Sequence, residues 1–290
     1  MKFGSFCYKK FDKMIFVAGV SMMAMHAYTK FCTADEIYGF LKSGATVIPH
    51  PKKVYKGGED AFIVKPKMVS VADGVGGWAK RGVDPAKFSK QLMGFIGSVY
   101  DEHPDLIPKE ILYRANEQTT EVGSTTVIIA IFNPKKRSIA TSLLGDSSYM
   151  ILKPNTQRGL AKMYRSTEQQ HRFNCPYQVG TGKDNPYLSI SETHYVEHND
   201  IIVLGTDGLW DNAFDNEVMT IIDQNLEKTG NLSDPQKASQ EIAKMAFAHS
   251  LDKSFRSPFE IHSEEDPKAK TYPGGKKDDI TVVVSQVKLD

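Results

Sequence analysis

Five aspartates in this sequence stand beside stretches that read as β-strands, and that placement gives them chemistry. A run of β-branched and aliphatic residues at 201–204 reads as a buried strand. It leads through Gly205 and Thr206 into Asp207-Gly208, where glycine permits the sharp exit a strand end needs. Asp211 follows one helical turn later. Glu59-Asp60 opens the apolar run 61–64, Asp73-Gly74 closes residues 68–72, Gly145-Asp146 closes 139–144, and Asp278 precedes the run 280–284. Any one of these aspartates is an ordinary turn residue; five of them at strand boundaries point to a shared site.

If those strand ends meet, several carboxylates share a small space. Like charges that close raise each other's pKa and destabilise the fold unless cations neutralise them. Oxygen ligands without cysteine or histidine select Mg²⁺, Mn²⁺ or Ca²⁺ over zinc or copper. Four carboxylates balance two divalent ions, and a carboxylate-bridged pair can activate water and stabilise charge on an in-line phosphoryl displacement. The sequence holds no Walker loop and no nucleophile elbow, so covalent catalysis is not indicated.

The elements that must position these acids can be followed along the chain. Residues 45–48 read as a strand stopped by Pro49-His50-Pro51. Phe88, Leu92, Phe95 and Val99 fall on one helical face, and Leu112 with Ala115 marks a second helix. Strands at 127–132, 139–144 and 149–152 are separated by turn signals, and Lys153-Pro154-Asn155-Thr156 reads as the next turn, the rhythm of an antiparallel meander. Val218, Ile221 and Ile222 mark a helix. Asp234-Pro235 starts another, with aspartate as N-cap, proline in the first turn, and Ile242, Met245 and Ala246 as its buried stripe. Residues 165–190 read as polar and irregular, and 252–276 as a long polar loop, a length often tied to function.

Composition narrows the class. With 290 residues, 40% hydrophobic and 24% charged, the chain fits a globular protein with a large core. A formal net charge of +1 supplies no global field toward nucleic acid or an anionic membrane. Cys7, Cys32 and Cys175 form neither a disulfide framework nor a zinc signature, which fits a reducing compartment. Residues 1–38 read as an extension ahead of a domain at 39–290. Lysines precede an apolar stretch at 14–27, and acids are almost absent before Asp35. A mitochondrial presequence is the first reading; a secretory signal, a short membrane anchor, or an N-terminal helix packed on the domain of a cytoplasmic protein are the alternatives. The run is shorter than the roughly 20 residues of a comfortable span, so no stable membrane span is expected.

Taken in order, Glu59-Asp60-Ala61, Asp73-Gly74-Val75-Gly76-Gly77, Gly123-Ser124-Thr125, Gly145-Asp146-Ser147, the strand into Asp207-Gly208-Leu209-Trp210-Asp211, and Asp278-Asp279-Ile280-Thr281 resemble the motif series of the metal-dependent serine/threonine protein phosphatases of type 2C. Val83-Asp84-Pro85, Glu168-Gln169-Gln170-His171 with Phe173-Asn174, Ser257-Pro258-Phe259 and Gly274-Gly275-Lys276 resemble the subgroup related to the T-cell-activation and mitochondrial enzyme. The resemblance covers residues 40–290. It implies an α+β fold, a four-layer αββα sandwich with two central antiparallel sheets flanked by helices. It also implies that Asp73 bridges two Mn²⁺ or Mg²⁺ ions, that the Gly74 carbonyl binds one, and that Asp207 and Asp278 bind the other. Glu59 and Asp60 would hold metal-bound waters, and Asp146 with Asp207 and Asp211 would form a weaker third site.

The sequence departs from that pattern twice. Many relatives carry histidine after the first Asp-Gly, proposed as the general acid; here Val75 stands there, leaving His171 among the alternatives for acting on the leaving group. Many relatives place an arginine ahead of the acidic pair to grip phosphate. Here only Lys52, Lys53 and Lys56 are near, with Lys56 the candidate, and lysine is a point charge without a bidentate fork. The expected activity is hydrolysis of phosphoserine and phosphothreonine in phosphoprotein substrates by a monomer. A small-molecule phosphohydrolase and a catalytically silent binding protein are the competing readings.

Overall fold

The computed structural model describes residues 38–155 and 159–290. The extension read at residues 1–38 therefore lies outside the described residues up to residue 37, as does Thr156. In chain order the elements are β1 (Gly39–Ile48), β2 (Asp60–Lys65), β3 (Met68–Gly74), α1 (Pro85–Glu102), α2 (Pro108–Gln118), β4 (Ser124–Asn133), β5 (Ser138–Leu144), β6 (Ser148–Asn155) and β7 (Gly159–Arg165). Three short pairings follow, β8 (Gln170–Arg172), β9 (Cys175–Pro176) and β10 (Val179–Gly180), and then β11 (Ile190–Tyr195) and β12 (Ile201–Gly205). The chain continues through α3 (Asp207–Trp210), α4 (Asp215–Gln224), α5 (Pro235–Leu251), α6 (Pro258–Glu265) and β13 (Ile280–Leu289).

Two antiparallel sheets stack face to face. One has the order β1-β13-β12-β6-β7; the other has β11-β5-β4-β3-β2, with β10 beside β4. Strand periodicity builds the layers. Ile202 and Leu204 of β12 point into the core between the sheets, where they meet Val69, Val71 and Ile128 of the other sheet. Ile201 and Val203 point the other way, onto Val218 and Ile222 of α4 and Ile242 and Ala246 of α5. Met68 and Ala72 of β3 and Val127 of β4 face Phe88, Leu92 and Ile96 of α1 and Ile111 of α2. The result is the αββα order expected from the sequence. Each of the buried valine, leucine, isoleucine, methionine and phenylalanine side chains among these contributes about 1.5–3 kcal/mol relative to exposure.

Two helices carry aspartate caps, of which the sequence reading named Asp234. Asp234 accepts from the Lys237 N–H at the start of α5, and Asp84 accepts from the Ala86 N–H at the start of α1. Other parts differ. Residues 252–276 are not one loop: Ser257 accepts from the Glu260 N–H and Pro258 opens α6. Residues 153–155 are strand rather than turn, paired with β7 through Lys153 to Ala161 and Pro154 to Leu160. The stretch 165–190 carries the short pairings β8 to β10, and β7 and β11 are edge strands that the polar sequence concealed. Among the described residues no helix is long and apolar enough to cross a membrane.

Candidate active site

Antiparallel pairing explains why the acids converge. The start of β2 and the end of β3 lie side by side, so Asp60 pairs with Asp73, and Asp73 with Thr126 of β4. In the other sheet the end of β12 lies beside the start of β13, with Gly205 opposite Val282. Asp207 leaves the first of those strands and Asp278 approaches the second. The two sheets are joined at this edge by Asp60, whose Oδ2 accepts from the Thr206 hydroxyl at 2.9 Å and the Thr281 hydroxyl at 2.7 Å.

The site-bearing loops touch backbone to backbone. A Cβ on Gly208 would stand 1.9 Å from the Asp279 carbonyl oxygen, so only glycine allows α3 to begin there. Asn212, fully buried, ties the same loops together. Its Nδ2 donates to the Gly208 and Lys276 carbonyls at 2.9 and 2.8 Å, and its Oδ1 accepts the Lys276 N–H at 2.9 Å. Trp210 anchors α3 from behind by donating to the Ser148 and Gly205 carbonyls.

Asp73, Gly74, Asp146, Asp207 and Asp278 line one cleft of 240 Å³, together with Lys53, Val75 and Lys276. Asp211 lies on the next wall, where it lines a 300 Å³ hollow with Asp146, Glu168 and His262. Asp60 and Glu59 are buried behind the cleft, 4% and 2% exposed. The structure thus brings together all the aspartates that the sequence singled out. It does not bring His171 there: its Nε2 faces both Asp184 oxygens at 3.1 Å, and its ring stacks on Tyr177 at 3.9 Å. Lys56 also does not line the cleft, because its ammonium is held by Glu59 at 2.7 Å and Asp84 at 2.8 Å.

Two lysines that the sequence reading did not select stand at the acids instead. Lys53 pairs with Glu59 at 2.7 Å and Asp279 at 2.8 Å, and its Nζ lies 3.9 Å from Asp278. Lys276 pairs with Asp207, with Asp211 at 2.6 Å and with Asp278 at 3.3 Å. Lysine identity alone carries no sign of such pairing. The signals were position, Lys53 six residues before the first acidic pair and Lys276 two before Asp278, and for Lys276 its place in the Gly274-Gly275-Lys276 motif.

Charge crowding shows in the acidities. Burial, reinforced by the Asp279 charge, pushes Asp60 up to about 8. Burial and then the Asp60, Asp207 and Asp278 charges hold Asp73 well above the usual carboxylate range. Asp146 is raised by burial and by Asp207. Burial lifts Asp211 to about 8 and Asp278 to about 6, although Lys276 opposes both shifts. Asp207 differs: burial pushes it up, but the Lys276 ammonium outweighs that and holds it below the ordinary value.

The donor set fits divalent Mg²⁺ or Mn²⁺. It is all oxygen, and the buried oxygens Asp60 Oδ1 and Asp207 Oδ1 have no hydrogen-bond partner among the described residues. Among the described residues no group of three or more acidic, histidine or cysteine side chains is arranged to hold a metal as it stands; lysine ammonium groups stand between the carboxylates.

Comparison with known proteins agrees with this geometry. Residues 184–254 match the family model for protein phosphatase 2C. The chain is 36% identical to probable protein phosphatase 2C 80 of Arabidopsis thaliana over 85% of its own length, but spans only 58% of that protein. It is 34% identical to probable protein phosphatase 2C 26 of the same plant, over 85% of this chain and 84% of that one. The X-ray structure of the photosystem II phosphatase PBCP superposes with a TM-score of 0.76 at 33% identity, over 86% of this chain and 99% of the other. With two stacked antiparallel sheets, acids gathered at one edge and a relative 34% identical matched over 84% of its length, the chain belongs to the protein phosphatase 2C family.

Proposed function

We propose that the protein is a metal-dependent serine/threonine protein phosphatase. The observation that carries this reading is the convergence of Asp73, Asp207 and Asp278 in one cleft with buried, unpartnered carboxylate oxygens beside it. Asp73, the Gly74 carbonyl, Asp207 and Asp278 would hold two Mn²⁺ or Mg²⁺ ions, and Glu59 and Asp60 would hold the water around them. When bound, such ions activate water as the nucleophile and offset charge on the phosphoryl group.

The chain's own groups set the rest. Thr206 and Thr281 fix the Asp60 carboxylate in one orientation through its Oδ2 and leave Oδ1 free. Val75 at the cleft wall has no proton to give a leaving alkoxide, and His171 is engaged elsewhere. Lys53, paired with Glu59 and Asp279, lines the cleft where Lys56 does not, and is the nearer of those two lysines to an entering phosphate.

The shape of the surface favours a polypeptide substrate over a small molecule. The acid cleft shares Asp146 and Asn174 with the 300 Å³ hollow. That hollow shares Glu168 and His262 with a 710 Å³ groove lined by Trp210, Phe214, Met219 and Ile261. These connected hollows offer room for residues flanking a phosphorylated side chain. Kinship with the T-cell-activation and mitochondrial subgroup, and a mitochondrial destination, rest on the sequence motifs and on residues 1–38. The substrate reading is tested by comparing kcat/KM for phosphothreonine peptides with that for small phosphoesters at saturating Mn²⁺. Preference for peptides supports it; equal or better turnover of the small esters would favour the small-molecule alternative.

A further inference from the structure

We propose that Lys276 is a built-in cation of the acid cleft, which neutralises Asp211 and one oxygen of Asp207 so that the site takes two divalent ions and not a third. The proposal rests on the reading of the cleft as a metal site. Asp207 opens α3 and Asp211 caps its end one turn later, with the Asp211 N–H bonded to the Asp207 carbonyl at 2.7 Å, so their side chains share a face. The Lys276 ammonium bonds Oδ2 of both. The other oxygen of Asp207, Oδ1, is buried and has no partner among the described residues. One carboxylate is thus divided, one oxygen toward the lysine and the other left for a different cation.

Lys276 is built in rather than passing through. Its backbone is fixed on both sides by Asn212, which accepts from its N–H and donates to its carbonyl. Its side chain is 16% exposed, and its Nζ lies 4.9 Å from the centre of the Phe259 ring, a contact that favours a cation.

The test counts bound metal directly. Wild-type protein, Lys276→Met and Lys276→Met/Asp211→Asn are stripped with chelator, and Mn²⁺ is titrated calorimetrically with melting temperature followed in parallel. The expected result is about two ions for the wild type and about three for Lys276→Met. The single variant should also show a lower metal-free melting temperature and a larger rise on adding Mn²⁺. The double variant, relieved of the uncompensated carboxylate, should return to about two ions and recover metal-free stability. If Lys276→Met does not fold without metal, recovery of the fold in the double variant still supports the assignment, and failure to recover overturns it. A wild type that binds three ions, or a single variant indistinguishable from wild type in count and melting, also overturns it while leaving the metal-site reading intact. A wild type that binds no Mn²⁺ removes the metal-site reading itself.

Discussion

Replacing Asn212 with alanine should unfasten the site more than any loss of an exposed polar group. Asn212 is 0% exposed and makes three hydrogen bonds through its side chain: to the Gly208 carbonyl in α3, and to both the N–H and the carbonyl of Lys276 in the loop that delivers Asp278. Alanine leaves those backbone groups without side-chain partners in a buried place. Each unsatisfied group costs about 1–3 kcal/mol, so the sum is roughly 3–6 kcal/mol after partial rehydration. At about 2–4 °C per kcal/mol for a domain of this size, the melting temperature should fall by about 10 °C. The loss should extend to function, because the loop with Asp207 and the loop with Asp278 are joined through this amide. Mn²⁺ affinity measured calorimetrically should weaken along with stability. Asn212→Asp should not rescue, since a carboxylate keeps the acceptor for the Lys276 N–H but faces two carbonyls without a proton to donate. An alanine variant within about 1 kcal/mol of wild type and with unchanged Mn²⁺ affinity would refute the reasoning.

Three further predictions concern backbone space and buried charge. Gly208→Ala places a Cβ against the Asp279 carbonyl, and because backbone cannot yield cheaply, denaturant unfolding should show a loss of more than about 3 kcal/mol. Gly57→Ala, where a Cβ meets nothing within 4 Å but φ is +77°, should lose only about 1 kcal/mol. The metal-free protein should also become less stable as pH rises from 5 to about 9. Asp60 and Asp211 at about 8 and Asp278 at about 6 are raised above their unfolded values, so the folded state binds more protons across this window. The stability they contribute is fully present below about pH 4 and is lost as pH climbs through the folded values. Asp84 and Asp252 are shifted down and lose their share only at lower pH, outside this window, and His50 and His194, lowered chiefly by burial, oppose the fall only below about pH 6.5. A melting temperature in chelator that stays level or rises from pH 6 to 9 would contradict the assignment; saturating Mn²⁺ should flatten the fall.

The sequence showed the acids and the strands that carry them because both patterns are local. An apolar run ending in Asp-Gly marks a strand and its exit, and antiparallel order then places the ends of β3 and β12 beside the starts of β2 and β13. Edge strands were harder to see. β7 and β11 bury little and leave Lys162, Met163 and Tyr195 exposed, and β7 carries a register shift, so little alternation survives in their sequences. Helix α6 was legible in principle: Ser257-Pro258 with Glu260 is the same kind of start signal as Asp234-Pro235, yet it sits among prolines and charges that read as loop. The partners of lysine were not legible at all. Lys56 was close to the acidic pair in sequence but is held by Asp84, whereas Lys276 acquires its place through Asn212, 64 positions away. Such long-range ties have no periodicity to detect.

The central claim is that the carboxylates at this sheet edge hold the divalent ions that make the protein a phosphatase. The most direct test is phosphate release from a phosphothreonine peptide with Mn²⁺, with Mg²⁺ and with chelator, run beside folded Asp207→Asn. The account predicts turnover that requires the metal, stops in chelator, and disappears in the variant. No turnover by folded, Mn²⁺-saturated wild type, or turnover that survives chelator and the loss of Asp207, would contradict it.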